Sequence, residues 1–260
     1  MSRLNDLGFS VRSIDVLGVR VDDVTLREAL AICHACIRSG KPHRVVTPNA
    51  EFVMAARPDP GFRQLLNDST LLIPDGAGLL LAGRLLGARL HAQVAGTDLA
   101  DQLAGLCARE GYRLFLLGAA PGVADEAGRR LRARHPNLIV AGTCAGSADP
   151  SADDETRARL RAAGRIDVLL VAFGAPKQEA WIERNQAALE IPLAIGVGGA
   201  LDFLSGRVPR APAAMRRLGF DWLFRLTVQP WRWRRQLALP RFVVAVTYEG
   251  MRRRLAPGTQ

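Results

Sequence analysis

TPNAEFVMAARPDPGFRQLLNDSTLLIPDGAG, residues 47–78, begins where one apolar strand, HRVV (43–46), stops, and it closes where a second, TLLI (70–73), runs into Pro74-Asp75-Gly76. Between them, Asn49 is placed to cap a helix AEFVMAAR, the Pro58-Asp59-Pro60 turn ends that helix, and GFRQLLND forms another. Strand, helices and strand make a βαβ unit. In an open α/β sheet, ligands bind at the carboxyl ends of the strands. Two such ends here carry short polar groups, Thr47, Asn49 and Asp75, with Pro or Gly beside them. The pattern predicts that Asp75 is a catalytic carboxylate and that Thr47 and Asn49 help position its substrate.

Working outward, the same alternation continues in both directions. VRSIDVLGVRVD (12–23) predicts a short strand pair turning at Gly18, and Thr25 caps a helix over 25–38. After residue 78 come a buried helix AGLLLAGRLLG, a helix over 98–110, strand YRLFLLG (112–118) and a helix from Val123. Strands LIVAGTC, DVLLVAFG and PLAIGVGG then alternate with helices SADDETRARLRAAG and PKQEAWIERNQAAL. Apolar strands alternating with helices predict a Rossmann-like, mostly parallel sheet with helices on both faces. Right-handed crossovers place the turns at 47, 75, 118, 174 and 198 along one rim. The pattern does not fix the strand order.

The bulk numbers fit one large folded unit: 260 residues, 48% hydrophobic, with no low-complexity run. The N-terminal residues lack the apolar run of a signal peptide, and no stretch approaches the length of a membrane span. A cytoplasmic location is expected. Four cysteines accord with that, and Cys33-His34-Ala35-Cys36 reads as small residues on a packed helix, because no second pair completes a zinc site.

Charge locates a boundary. Residues 1–204 balance 23 Lys and Arg against 23 Asp and Glu, whereas residues 205–260 hold 12 Arg against Asp221 and Glu249 alone. The whole net charge of +10 therefore sits in the tail, with three of the four tryptophans, Trp222, Trp231 and Trp233. This predicts an α/β catalytic domain over 1–204 and a basic, helical, Arg/Trp-rich C-terminal appendage over 205–260. Three readings of the tail are open: a nucleic-acid patch, an interfacial membrane helix, or a lid whose arginines fold over a bound diphosphate. A merely solvated basic face does not need three tryptophans. An apolar tail detached from its partner surface would favour homo-oligomers.

The rim turns are rich in glycine, at Gly118, Gly174 and Gly196-Val197-Gly198-Gly199. Such turns admit anions such as diphosphates, although any parallel sheet also needs glycine there. The dinucleotide fingerprint fails, since Leu201 stands where its third glycine belongs, and the P-loop pattern is absent. No D-x-D pair is present to hold a metal on a nucleotide diphosphate. Arginines, whose forked donors match phosphate oxygens, are the natural substitute, and no metal or cofactor is expected. Lys177-Gln178-Glu179 after a strand end is either a solvated first helical turn or a polar cluster suited to sugar hydroxyls, through Gln178.

TPNAEF, LLIPDGAG, VAGTDL, LFLLGAAPGVA, FGAPKQE, GVGGALDFLSGRVPRAP and DWLFRL-x3-PWRWRR resemble, in order and spacing, the WecG/TagA/CpsF glycosyltransferases. The resemblance runs from about residue 12 to about residue 240. It implies a bacterial, inverting, metal-independent enzyme. Such an enzyme moves a sugar from a UDP-sugar to a polyprenyl-diphosphate-linked saccharide in cell-surface polysaccharide synthesis, and it attaches peripherally to the anionic inner face of the plasma membrane. By motif, Asp75 is then the base, and Thr47 and Asn49 are substrate contacts beside it. Gln178 is a sugar contact, Gly118 and Gly198 belong to the substrate rim, and Arg225, Arg232 and Arg235 close over the donor diphosphate. Gln93 departs from the arginine common in the family. Nucleic-acid binding through the tail is the alternative function.

Overall fold

The computed structural model describes residues 4–212, 215, 221–230 and 233–255, apart from the side chains of 225, 234 and 235. A hairpin opens the chain, with β1 (Ser13–Val16) and β2 (Val19–Asp22) pairing antiparallel. Its turn uses positive φ at both Leu17 and Gly18, the twist that suits a two-residue hairpin. Next comes α1 (Leu26–Ser39), started by a Thr25/Glu28 capping box.

The main sheet is built from β3 (His43–Val46), β4 (Leu71–Leu72), β5 (Arg113–Gly118), β6 (Ile139–Cys144), β7 (Val168–Ala172) and β8 (Leu193–Gly196). Every pairing in it is parallel, in the order β4-β3-β8-β7-β5-β6. The hairpin guards the short β4 edge, where the buried Asp22 carboxylate accepts the Leu72 N–H at 2.8 Å. Between strands the chain forms α2 (Ala50–Ala56), α3 (Pro60–Asn67), α4 (Ala77–Leu85), α5 (Gly96–Glu110), α6 (Val123–Arg134), α7 (Asp153–Ala162) and α8 (Lys177–Asn185). After β8 come α9 (Ala200–Leu204), α10 (Asp221–Val228), α11 (Trp233–Gln236) and α12 (Ala238–Leu255).

The strands read as unbroken apolar runs because both faces are covered. Val45, Ile73, Leu114, Leu116, Leu170 and Ile195 meet α1, α5, α6 and α9 on one face. Cys33, Cys36 and Cys107 pack there as small apolar residues, and burial pushes the Cys36 and Cys107 thiols up to about 12. On the other face, Phe115, Leu117, Leu169 and Val171 meet α7 and α8, while Val46 and Leu72 meet α2, α3, α4 and the hairpin.

That second cluster also contains the end of the chain. Phe242 and Val246 of α12, each 1% exposed, pack with Ala50 and Val53 of α2 and Leu79 and Ala82 of α4. Gly250 lets α12 approach α4, since a Cβ there would stand 2.5 Å from the Leu85 carbonyl oxygen. Arg253 adds an ion pair to Asp15 at 2.9 Å. The break in charge at residue 205 is thus not matched by a break in packing, because α12 completes a core begun by the hairpin. Among the described residues no helix is long and apolar enough to cross a membrane.

Phe242→Ala is expected to cost the whole fold about 3–5 kcal/mol, the range for truncating a buried phenylalanine, as measured by urea unfolding. An unchanged midpoint would show that the tail folds apart from the rest.

Candidate active site

The β3 and β4 ends are fastened side by side. Ile73 N–H donates to the Val46 carbonyl at 2.9 Å, and Asp75 N–H donates to the Pro48 carbonyl at 2.9 Å. Val94 N–H then donates to the Pro74 carbonyl at 2.9 Å, which brings the start of α5 over the same strand ends. There the Gly96 N–H faces Asp75 Oδ2 at 3.4 Å. The fit is close, because a Cβ on Gly96 would lie 3.2 Å from Thr47 Oγ1 and 3.7 Å from Asp75 Oδ2. Thr47, Asp75 and the first turn of α5 therefore converge as the sequence pattern predicts for the first two.

Asn49 stands one residue beyond Pro48. Its Oδ1 accepts the Glu51 and Phe52 N–H groups at 2.9 and 3.2 Å, which caps α2. Its NH2 group makes no hydrogen bond to a described residue, so it is the part of the side chain a ligand can meet.

In front of Asp75 is a cavity of about 490 Å3. One wall is Gln93 and the segment from Ala95 to Asp98, another is Val208 to Ala211, and α10 forms a third through Asp221, Phe224 and Val228. Those three tail residues recur at helical spacing, so one face of α10 looks into the cavity. Arg210 Nη1 donates to Asp98 Oδ1 at 2.7 Å across the opening. Arg225 belongs to α10 and Arg235 to α11, but their side chains lie outside the described residues, as does the whole of Arg232.

Gln178 is 1% exposed, and its amide works on the protein itself. Oε1 accepts Gly174 N–H and Gly198 N–H, both at 3.0 Å, tying the turn after β7 to the turn after β8. Nε2 donates to Glu179 Oε1 at 2.7 Å, and that bond fixes which way round the amide sits. Glu179, a residue that a solvated first helical turn would expose, is fully buried instead. The reason is Gly196, where a Cβ would stand 2.5 Å from Glu179 Oε1 and 2.6 Å from Gln178 Nε2. Burial pushes the Glu179 carboxyl up to about 7, against the lowering effects of the Gln178 bond and of the Arg44 charge. Its Oε2 has no hydrogen-bond partner among the described residues.

Gly118 is explained in the same way. It has φ +103°, and a Cβ would fall 2.7 to 2.9 Å from the Ala172 backbone. The glycines of the rim let strand ends and side chains of this chain approach one another closely, before any ligand is considered. The residues that the sequence pattern did not single out are Gly96, Asp98, Arg210 and Glu179. The signal for the first two was present in VAGTDL, a Gly-Thr-Asp helix start directly after a loop.

The α/β fold thus presents a carboxylate at paired strand ends, facing a cavity partly walled by α10, as an enzyme's active site would. The chain matches the glycosyl transferase WecG/TagA/CpsF family over residues 14–256 and belongs to that family. It is a glycosyltransferase. It is 34% identical over 206 residues, 79% of each chain, to an N-acetylglucosaminyldiphosphoundecaprenol N-acetyl-beta-D-mannosaminyltransferase of Bacillus subtilis (strain 168). Proteins of the same name from Bacillus spizizenii and Staphylococcus aureus (strain NCTC 8325 / PS 47) are 34% identical over 202 residues and 28% identical over 235 residues. These alignments cover 78% of this chain and 77% of the Bacillus spizizenii protein, and 90% and 91% for the Staphylococcus aureus one.

Glu179 makes stability depend on pH. Its folded-state pKa of about 7 lies above the ordinary 4.5, so the folded chain holds the proton more tightly. Stability is therefore greatest below the ordinary value and falls as pH rises through the folded value, by on the order of 3 kcal/mol. Unfolding midpoints at pH 5 and pH 8 are expected to differ in that sense for the native chain and much less for Glu179→Gln. Equal slopes in the two proteins would contradict a buried titrating carboxyl.

Proposed function

We propose that the enzyme transfers an N-acetylmannosaminyl or related hexosyl group from a UDP-sugar to a polyprenyl-diphosphate-linked saccharide. On this reading it works at the inner face of the plasma membrane, in the synthesis of a cell-surface polysaccharide. The carrying observation is Asp75 on the cavity wall, with Thr47 and the Gly96 amide against it. The activity for which the relatives are named supports both the sugar and the lipid-linked acceptor.

Asp75 takes the proton from the acceptor hydroxyl as that oxygen attacks the anomeric carbon. One carboxylate within hydrogen-bond reach suffices for such a single displacement, and the configuration inverts. The nucleoside diphosphate leaves with growing negative charge, which needs positive charge aimed at it. Arg225, Arg232 and Arg235 supply it in this proposal, without a metal, as the tail closes the cavity. Thr47 and Asn49 hold the substrate beside the base. Gln178 acts indirectly, keeping the neighbouring turns in register.

Attachment to the bilayer draws support from α12. Val244, Tyr248, Met251 and Leu255 recur at three- and four-residue spacing and are each half exposed or more, on the side opposite the buried Phe242, Ala245 and Val246. Arg241, Arg252 and Arg254 flank the stripe. Apolar residues edged by arginine suit the head-group boundary of an anionic membrane.

Asp75→Asn is expected to lower the transfer rate at least ~100-fold, within the range for losing a general base, while UDP binding stays near that of the native enzyme. Near-normal transfer by the purified variant would remove Asp75 from the role of base. EDTA is expected to leave the rate unchanged, and a loss restored by added magnesium would overturn the metal-free reading. Val244→Asp with Tyr248→Asp should reduce co-sedimentation with phosphatidylglycerol vesicles without altering the melting temperature. Undiminished sedimentation would free the stripe from that role.

A further inference from the structure

The charges around the cavity leave a question that the tail arginines do not answer by themselves. Asp75, Asp98 and Asp221 all line it, and among the described lining residues Arg210 is the one cation. A nucleoside diphosphate entering here meets three carboxylates.

Arg210 is suited to the task by how little it is committed. It makes one hydrogen bond, Nη1 to Asp98 Oδ1 at 2.7 Å, and its other N–H groups make none to a described residue. The pair is partly open to solvent, with side-chain exposures of 34% for Arg210 and 39% for Asp98. A partly exposed ion pair in which the arginine makes a single contact is open to exchange. A guanidinium facing a phosphate can instead form two parallel, charge-assisted bonds, which are stronger. Pro209 just before Arg210 and Pro212 two residues after it restrict the chain that carries it.

We infer that Arg210 is a diphosphate-binding residue of the donor site, held in waiting by Asp98 and released to the donor when the nucleotide enters. This rests on the reading of the donor as a UDP-sugar. Asp98 then acts as a competitor for the arginine. It raises the electrostatic cost of binding an anion and sets how easily UDP leaves after transfer.

The pair yields opposite expectations for its two members, which a clasp holding the tail in place does not. The experiment is calorimetric titration of the full chain and its variants with UDP and with uridine, with melting temperatures recorded alongside. Arg210→Ala is expected to weaken UDP about ten-fold or more, the scale of a lost charge-assisted bond, and to leave uridine nearly unchanged. Asp98→Asn is expected to tighten UDP several-fold, again with little effect on uridine.

If both variants weaken UDP and uridine alike, or lose melting temperature together, the pair is a structural clasp and the inference is overturned. Unchanged UDP affinity in both variants overturns it as well, while the UDP-sugar reading stands. If the native chain transfers sugar yet binds no UDP, the donor reading itself fails and the inference falls with it. Should Arg210→Ala not fold, Asp98→Asn decides alone, since tighter UDP supports the exchange and weaker or equal UDP contradicts it.

Discussion

The site depends on one backbone hydrogen bond, from Asp75 N–H to the Pro48 carbonyl. It carries the pairing of β3 and β4 one step past the last formal ladder position, so two chain segments that would otherwise diverge leave the sheet together. Thr47 and Asn49 ride on one of them and Asp75 on the other. Val94 bonds to the Pro74 carbonyl between them and seats α5, whose first amide faces the carboxylate. The role of base proposed for Asp75 requires placement to within a fraction of an ångström of the proton, and strand ends with shared hydrogen bonds are stiffer supports than free loops.

The opposite side of the rim is stiffened by burial of polar groups. Gln178 bridges two turns and is itself oriented by a carboxyl that burial holds near neutrality. A buried carboxyl with one unpartnered oxygen is costly. The chain sustains that cost beside the β7 and β8 turns, where glycine at 196 leaves the room that a side chain would take. Local destabilisation of this kind gathers around functional sites, where geometry matters more than stability.

Much of this was legible in the residues. Unbroken apolar strands alternating with amphipathic helices gave the parallel sheet with both faces covered, and Gly18, Thr25 and Asn49 marked the turn and caps that the structure shows. Strand order was not legible, because it depends on which crossovers span the sheet, and βαβ units of similar length fit several orders. The place of α12 was hidden for a different reason. Charge and composition change at residue 205, whereas burial of Phe242 and Val246 depends on partners nearly two hundred residues away. Glycine misled in one respect, since Gly118 and Gly196 read as room for a ligand and are filled by the backbone of Ala172 and the side chains of Gln178 and Glu179. The pairing of Asp98 with Arg210 was not legible, because partners 112 positions apart leave no periodic trace.

Asp75 as a base, rather than as a nucleophile, is the centre of the account, and stereochemistry separates the two roles. A base assists a single displacement, whereas a nucleophilic carboxylate forms a glycosyl intermediate and passes the sugar on with a second displacement. The decisive measurement is the proton NMR spectrum of the anomeric centre in product made from an α-linked UDP-sugar and a soluble diphosphate-linked acceptor. A β-linked product is the result this account predicts, and an α-linked product would contradict it.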